Sequence, residues 1–157
     1  MYKDKLNKLA DFLDGLDESK FYFGSVVDKW VGDGRENLCG SVCCAIGWAP
    51  TLFPDEVQWM KGAHDNLAYN GNAQLSYGEI GAKLFDIPFW DAEALFSPNS
   101  THMDDDEAYR WDEWGIHILY EEATPKELAA NIRNYITMIE SKDEHKQQEK
   151  NLSEVPE

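Results

Sequence analysis

The chain is predicted to fold as one mostly α-helical domain, a compact bundle of about six or seven short helices with little or no sheet. Three observations predict this. Apolar residues recur at helical spacing in several separate segments, and two of those segments open on capping signals. Few stretches alternate in the manner of a strand. The length of 157 residues, with 43% apolar and 13% aromatic content, suits a single domain with a real core.

The elements follow in order. Leu6, Leu9, Ala10, Leu13 and Leu16 form the stripe of an amphipathic first helix ending near Gly15. Phe21, Tyr22 and Phe23 read as a short extended piece running into a helix with Val26, Val27 and Trp30, which Gly32-Asp33-Gly34 breaks. Asn37 caps a helix that passes through Cys39, Cys43 and Ile46 to about Trp48. Pro50 and Pro54 bracket a turn, and Pro54 suits the first position of a short helix with Val57, Trp59 and Met60. Residues 61–74 read as a loop.

Ser76 and Glu79 have capping-box spacing, so a helix is expected over Tyr77–Phe85. Pro88 opens another helix, containing Trp90 and Phe96 and stopped by Pro98. A loop with Asp104-Asp105-Asp106-Glu107 follows. The apolar run of Ile116, His117, Ile118, Leu119 and Tyr120 suits helix or strand, and helix is preferred because few strands exist to pair with it. Thr124-Pro125-Lys126-Glu127 combines an N-cap, a proline at N1 and a glutamate at N3, ahead of a stripe of Leu128, Ile132, Tyr135, Ile136 and Ile139. The folded domain is therefore placed at residues 1–141, with a flexible polar tail at 142–157.

Thirty acidic residues against fourteen basic ones give a formal charge of -16. Such a field repels nucleic acid and anionic membrane surfaces and attracts basic partners. No segment approaches the length of a membrane span, and no export-signal pattern follows Met1. Cys39, Cys43 and Cys44 are odd in number and crowded together, which suits reduced thiols and a cytoplasmic setting. The mean hydropathy of -0.56 agrees with a charged surface.

The segment around those cysteines is rich in small residues (Gly40, Ser41, Ala45, Gly47 and Ala49), which suits a helix packed closely at the centre of the domain. Free cysteines are among the most buried side chains, so core packing is the preferred reading. Zinc binding with His64 or His102 is disfavoured, because the paired Cys-x2-Cys knuckles of structural zinc are missing. No metal site and no cofactor are expected. The Cys39-Gly40 pair opening a small-residue helix resembles the nucleophile helix of papain-like and bacteriocin-processing cysteine peptidases. That resemblance implies Cys39 as nucleophile, His117 as base, and Asn131 or Asn134 as the group orienting it. It departs from the papain pattern by one inserted residue. A second resemblance spans Trp30, Cys39-Gly40-Ser41, Cys44, Gly47-Trp48-Ala49, Leu95-Phe96 and Thr124-Pro125 with Glu127. In these the chain resembles small uncharacterised bacterial and phage proteins, which implies a shared fold and setting without an activity.

The charge is concentrated. Residues 86–122 hold eleven acidic side chains against Arg110 alone, with Trp90, Tyr109, Trp111 and Trp114 among them. The consecutive acids lack the alternation and central glycine of a calcium loop. Asp104, Asp105, Asp106, Glu107, Trp111, Asp112, Glu113 and Trp114 are therefore the candidate protein-binding residues. The expected function is non-enzymatic: a phage or bacterial inhibitor or immunity protein whose acidic surface occupies a basic, nucleic-acid-binding site on a partner. The alternative is a cysteine-dependent hydrolase or transferase using Cys39 with His117.

Overall fold

The computed structural model describes residues 1–23, 44–60, 67–98 and 103–154. Its first helix, α1 (Lys3–Asp14), buries Leu6, Leu9, Ala10 and Leu13 on one face. Against that face lies the last and longest helix, α6 (Pro125–Ser153). The two run antiparallel: Lys3 reaches Glu140 at 2.6 Å, while Arg133 bridges Asp11 at 2.8 Å and Asp14 at 2.6 Å. These exposed pairs align the helices; the apolar stripe between them supplies the driving force, since exposed ion pairs contribute roughly 0–1 kcal/mol each.

After Phe23 the described chain resumes at Cys44. A 3-10 turn, Ile46–Trp48, passes directly into the short helix α2 (Ala49–Leu52), so Pro50 starts a helix where a turn was expected. The proposed helix from Asn37, with Cys39 and Cys43, lies outside the described residues. Phe12 packs on Trp48 with ring centroids 5.4 Å apart, and the Trp48 indole donates to the Lys20 carbonyl.

The short helix expected after Pro54 is instead a strand. β1 (Val57–Trp59) pairs antiparallel with β2 (Leu67–Tyr69), Val57 opposite Tyr69 and Trp59 opposite Leu67. Asn70 (φ 48) and Gly71 (φ 80) then turn the chain so that Tyr69 and Asn72 exchange backbone hydrogen bonds. Two successive left-handed residues are what a type I′ turn requires, and Asn-Gly is its preferred pair. Residues 67–72 are therefore ordered into strand and turn within a segment expected as loop. Val57 and Leu67 are fully buried, so a short strand pair forms one wall of the core.

α3 (Tyr77–Phe85) and α4 (Phe89–Phe96) form a helical hairpin. Ser76 accepts from the Glu79 N–H while Glu79 accepts from the Ser76 N–H, which closes the anticipated capping box. Gly78 lets α4 approach, because a methyl group there would run into the Glu93 carboxylate. Phe85 meets both Phe53 and Phe96, at 6.0 and 5.4 Å between centroids, joining the hairpin to α2.

Asp104-Asp105-Asp106-Glu107, expected as loop, opens α5 (Asp105–Glu113). Residues 116–120, expected as helix, form neither helix nor strand. The polar stretch from Lys142, expected to fray, continues α6 to Ser153 with its side chains mostly exposed. Lysine, glutamate and glutamine are good helix formers, and Gln147–Asn151 and Lys150–Glu154 link successive turns there. With six α-helices and one two-stranded sheet among the described residues, the domain is mostly α.

Candidate functional site

α5 owes its existence to the acids that made it look like a loop. Asp104 sits at the N-cap and its carboxylate accepts from the Glu107 N–H at 2.7 Å. Asp105, Asp106 and Glu107 then occupy the first turn, where negative charge complements the positive end of the helix dipole. A run of acids facing one helix terminus stabilises that helix.

Helical spacing divides these residues. Trp111 is buried, 6% exposed, and packs on the Tyr135 ring of α6 at 5.4 Å, with Glu107 and Ala108 half-buried beside it. Asp105, Asp106, Tyr109, Asp112 and Glu113 face solvent. Trp111 thus belongs to the core, and the aromatics left on the acidic side are Tyr109, 65% exposed, and Trp114, 38% exposed. Among the described residues, Asp105, Asp106 and Glu113 make no ion pair with a lysine or arginine.

α5 ends in a Schellman motif. The Gly115 N–H donates to the Asp112 carbonyl and the Ile116 N–H to the Trp111 carbonyl, with Gly115 at φ 76. Ile116 and Trp111, the two positions whose apolar side chains usually accompany this cap, are both buried in the core. The chain then runs as a strap, residues 115–123, along α6.

Two asparagines of α6 hold the strap. Asn131, 3% exposed and the buried polar side chain of the described core, accepts from the His117 N–H at 3.1 Å and donates to the His117 carbonyl at 2.7 Å. Asn134 donates to the Gly115 carbonyl at 3.0 Å. Both therefore bind backbone and leave the His117 imidazole untouched. That ring is exposed, and its Nδ1 lies 2.8 Å from an Asp112 carboxylate oxygen. Neither asparagine contacts the ring it would orient in the peptidase-like reading.

Between strap and helix lies an open cleft of about 780 Å³, lined by residues that include Ile118, Leu119, Ala123 and Ala130. A second cleft, of about 420 Å³, adjoins it across Glu122 and Ala123 and reaches Glu18, Phe21 and Tyr22. Neither cleft was anticipated. The one sequence signal was Asn131 itself, a polar residue within the apolar stripe of the last helix.

Cys39, His64 and His102 lie outside the described residues. Cys44 is buried, and desolvation pushes its thiol up to about 11. No three His, Cys, Asp or Glu side chains converge as a metal site among the described residues, and no described helix is long and apolar enough to cross a membrane. Comparison with protein-family models, with curated proteins and with solved structures found no match to the chain.

Proposed function

We propose that the chain is a non-enzymatic protein-binding protein, acting as a bacterial or phage inhibitor or immunity protein in the cytoplasm. Its acidic surface occupies a basic site on a partner, of the kind that otherwise holds nucleic acid. The observation that supports this reading is the solvent face of α5. There Asp105, Asp106, Asp112 and Glu113 surround Tyr109, while the buried Trp111 fixes the helix to α6. Arg110 is the single arginine or lysine of this helix, and Asp105, Asp106 and Glu113 form no ion pair with a lysine or arginine among the described residues, so a partner's cations would meet an excess of carboxylates there. The exposed tyrosine adds a large, low-entropy contact surface at their centre. With a net charge of -16, encounter with a basic protein is steered at long range and weakened by salt.

The test is co-purification from a bacterial lysate at about 50 mM and about 500 mM salt, where the Debye length falls several-fold. A basic protein should be retained at low salt and released at high salt. It should also be lost with Asp106→Lys/Glu113→Lys, whose helicity is checked by circular dichroism. Retention that ignores both salt and charge reversal overturns the reading.

A further inference from the structure

We infer that the cleft between the 115–123 strap and α6 receives an extended segment of a partner protein in which arginine or lysine alternates with apolar side chains. This rests on the reading of the chain as a binder of basic proteins, and it adds an anchoring groove beside the α5 face. The two are contiguous, since Asp112 of α5 contacts His117 at the cleft wall.

Three features point to that occupant. The first is shape and polarity. A volume of about 780 Å³ lies within the range of ligand-binding clefts, and Ile118, Leu119, Ala123 and Ala130 give it apolar walls.

The second is charge. Glu122 and Glu127 line this cleft, Glu18 and Glu121 line the adjoining one, and among the described residues no lysine or arginine lines either. None of the four carboxylates forms an ion pair among the described residues. Glu127 accepts from the Thr124 N–H and Glu121 from the Tyr22 hydroxyl.

The third is the backbone. His117 spends its N–H and C=O on Asn131, whereas Ile118 and Leu119 make no backbone hydrogen bond among the described residues. A partner chain in extended form carries its own row of donors and acceptors, as in strand addition, and alternates its side chains between apolar wall and acidic rim. A second copy of this chain would bring sixteen further negative charges, and nucleic acid would be repelled.

The probe is a capped, fluorescent heptapeptide of alternating arginine and leucine, beginning and ending on arginine. Controls carry glutamate for arginine or glycine for leucine. Binding is read by anisotropy at low salt, and the contact site by amide chemical shifts of the full chain. The arginine–leucine peptide should bind, moving the Ile118, Leu119, Ala123 and Ala130 amides. The glutamate peptide should not bind, and the glycine peptide should bind about tenfold more weakly. Glu121→Gln/Glu122→Gln should weaken binding about threefold to tenfold. Ala130→Trp, at an exposed helix position, fills the cleft and should abolish binding with the circular dichroism spectrum unchanged. If the arginine–leucine and arginine–glycine peptides bind equally, with shifts confined to α5, the cleft is not the receptor, while the acidic-face reading stands. Unchanged affinity in Ala130→Trp also overturns the cleft. Failure of every cationic peptide to bind overturns both.

Discussion

Replacing Asn131 should loosen the strap, and the size of the effect follows from what its amide does. The side chain is 3% exposed and makes two hydrogen bonds, to the N–H and the C=O of His117. Each contributes about 1 kcal/mol net, and a backbone group left buried without a partner costs about 1–3 kcal/mol more. In Asn131→Ala the space vacated adjoins the open cleft, so water reaches the freed groups and the cost settles at about 2–3 kcal/mol. Asn131→Leu fills that space with methyl groups, keeps water out, and should cost about 3–4 kcal/mol. Asn134→Ala removes one bond, to the Gly115 carbonyl, from a half-buried site and should cost about 1 kcal/mol. Urea denaturation at constant m-value gives the three differences. Amide exchange at His117 should speed by tenfold or more in Asn131→Ala, as about 1.4 kcal/mol corresponds to a factor of ten. If Asn131→Leu is as stable as wild type, or Asn134→Ala costs as much as Asn131→Ala, then the asparagine contacts do not hold the strap.

Thr124→Ala removes the hydroxyl that accepts from the Glu127 N–H, and should cost about 1 kcal/mol, or about 2–4 °C in thermal unfolding. Cys44 should resist alkylation by iodoacetamide at neutral pH until the protein unfolds, as read by peptide mass spectrometry; labelling at the rate of a free thiol would contradict its buried, weakly acidic state. Burial raises the Asp91 carboxyl above its ordinary 3.8, while its hydrogen bond from the Tyr135 hydroxyl pulls the other way. The folded state therefore binds this proton more tightly than the unfolded state. Its contribution to stability is fully present below about pH 3.8 and declines as pH rises through the raised value. Asp91→Asn should lack that decline, so the wild-type-minus-mutant difference in melting temperature should fall as pH rises through the acidic range, and a flat difference curve would refute it. Raising salt from about 20 mM to about 500 mM should raise the melting temperature, because screening relieves repulsion among the excess carboxylates; a fall would show that the α1–α6 ion pairs outweigh that repulsion.

What was legible in the sequence was local. The stripe of α1, the Ser76–Glu79 and Thr124–Glu127 boxes and the proline-opened α4 were readable because the groups that satisfy a helix terminus lie within four residues of one another. Other local signals stand in stretches whose composition suggests loop. Asn70-Gly71 is a hairpin dipeptide, and Asp104 three residues before Glu107 is an N-cap, although acids in a row suggested a loop. Gly115 after α5 marks a helix end in the same way.

The strap was not legible. Its apolar run carries no preference strong enough to choose a conformation, and the choice falls to a partner fourteen residues away: Asn131 takes both backbone groups of His117. Tertiary contact likewise turned Trp111 inward onto Tyr135, left Tyr109 among the carboxylates, and opened the cleft along α6. Helix ends follow from neighbours in the chain. A groove needs two segments held apart at a fixed distance, and that spacing is set only when the whole core packs.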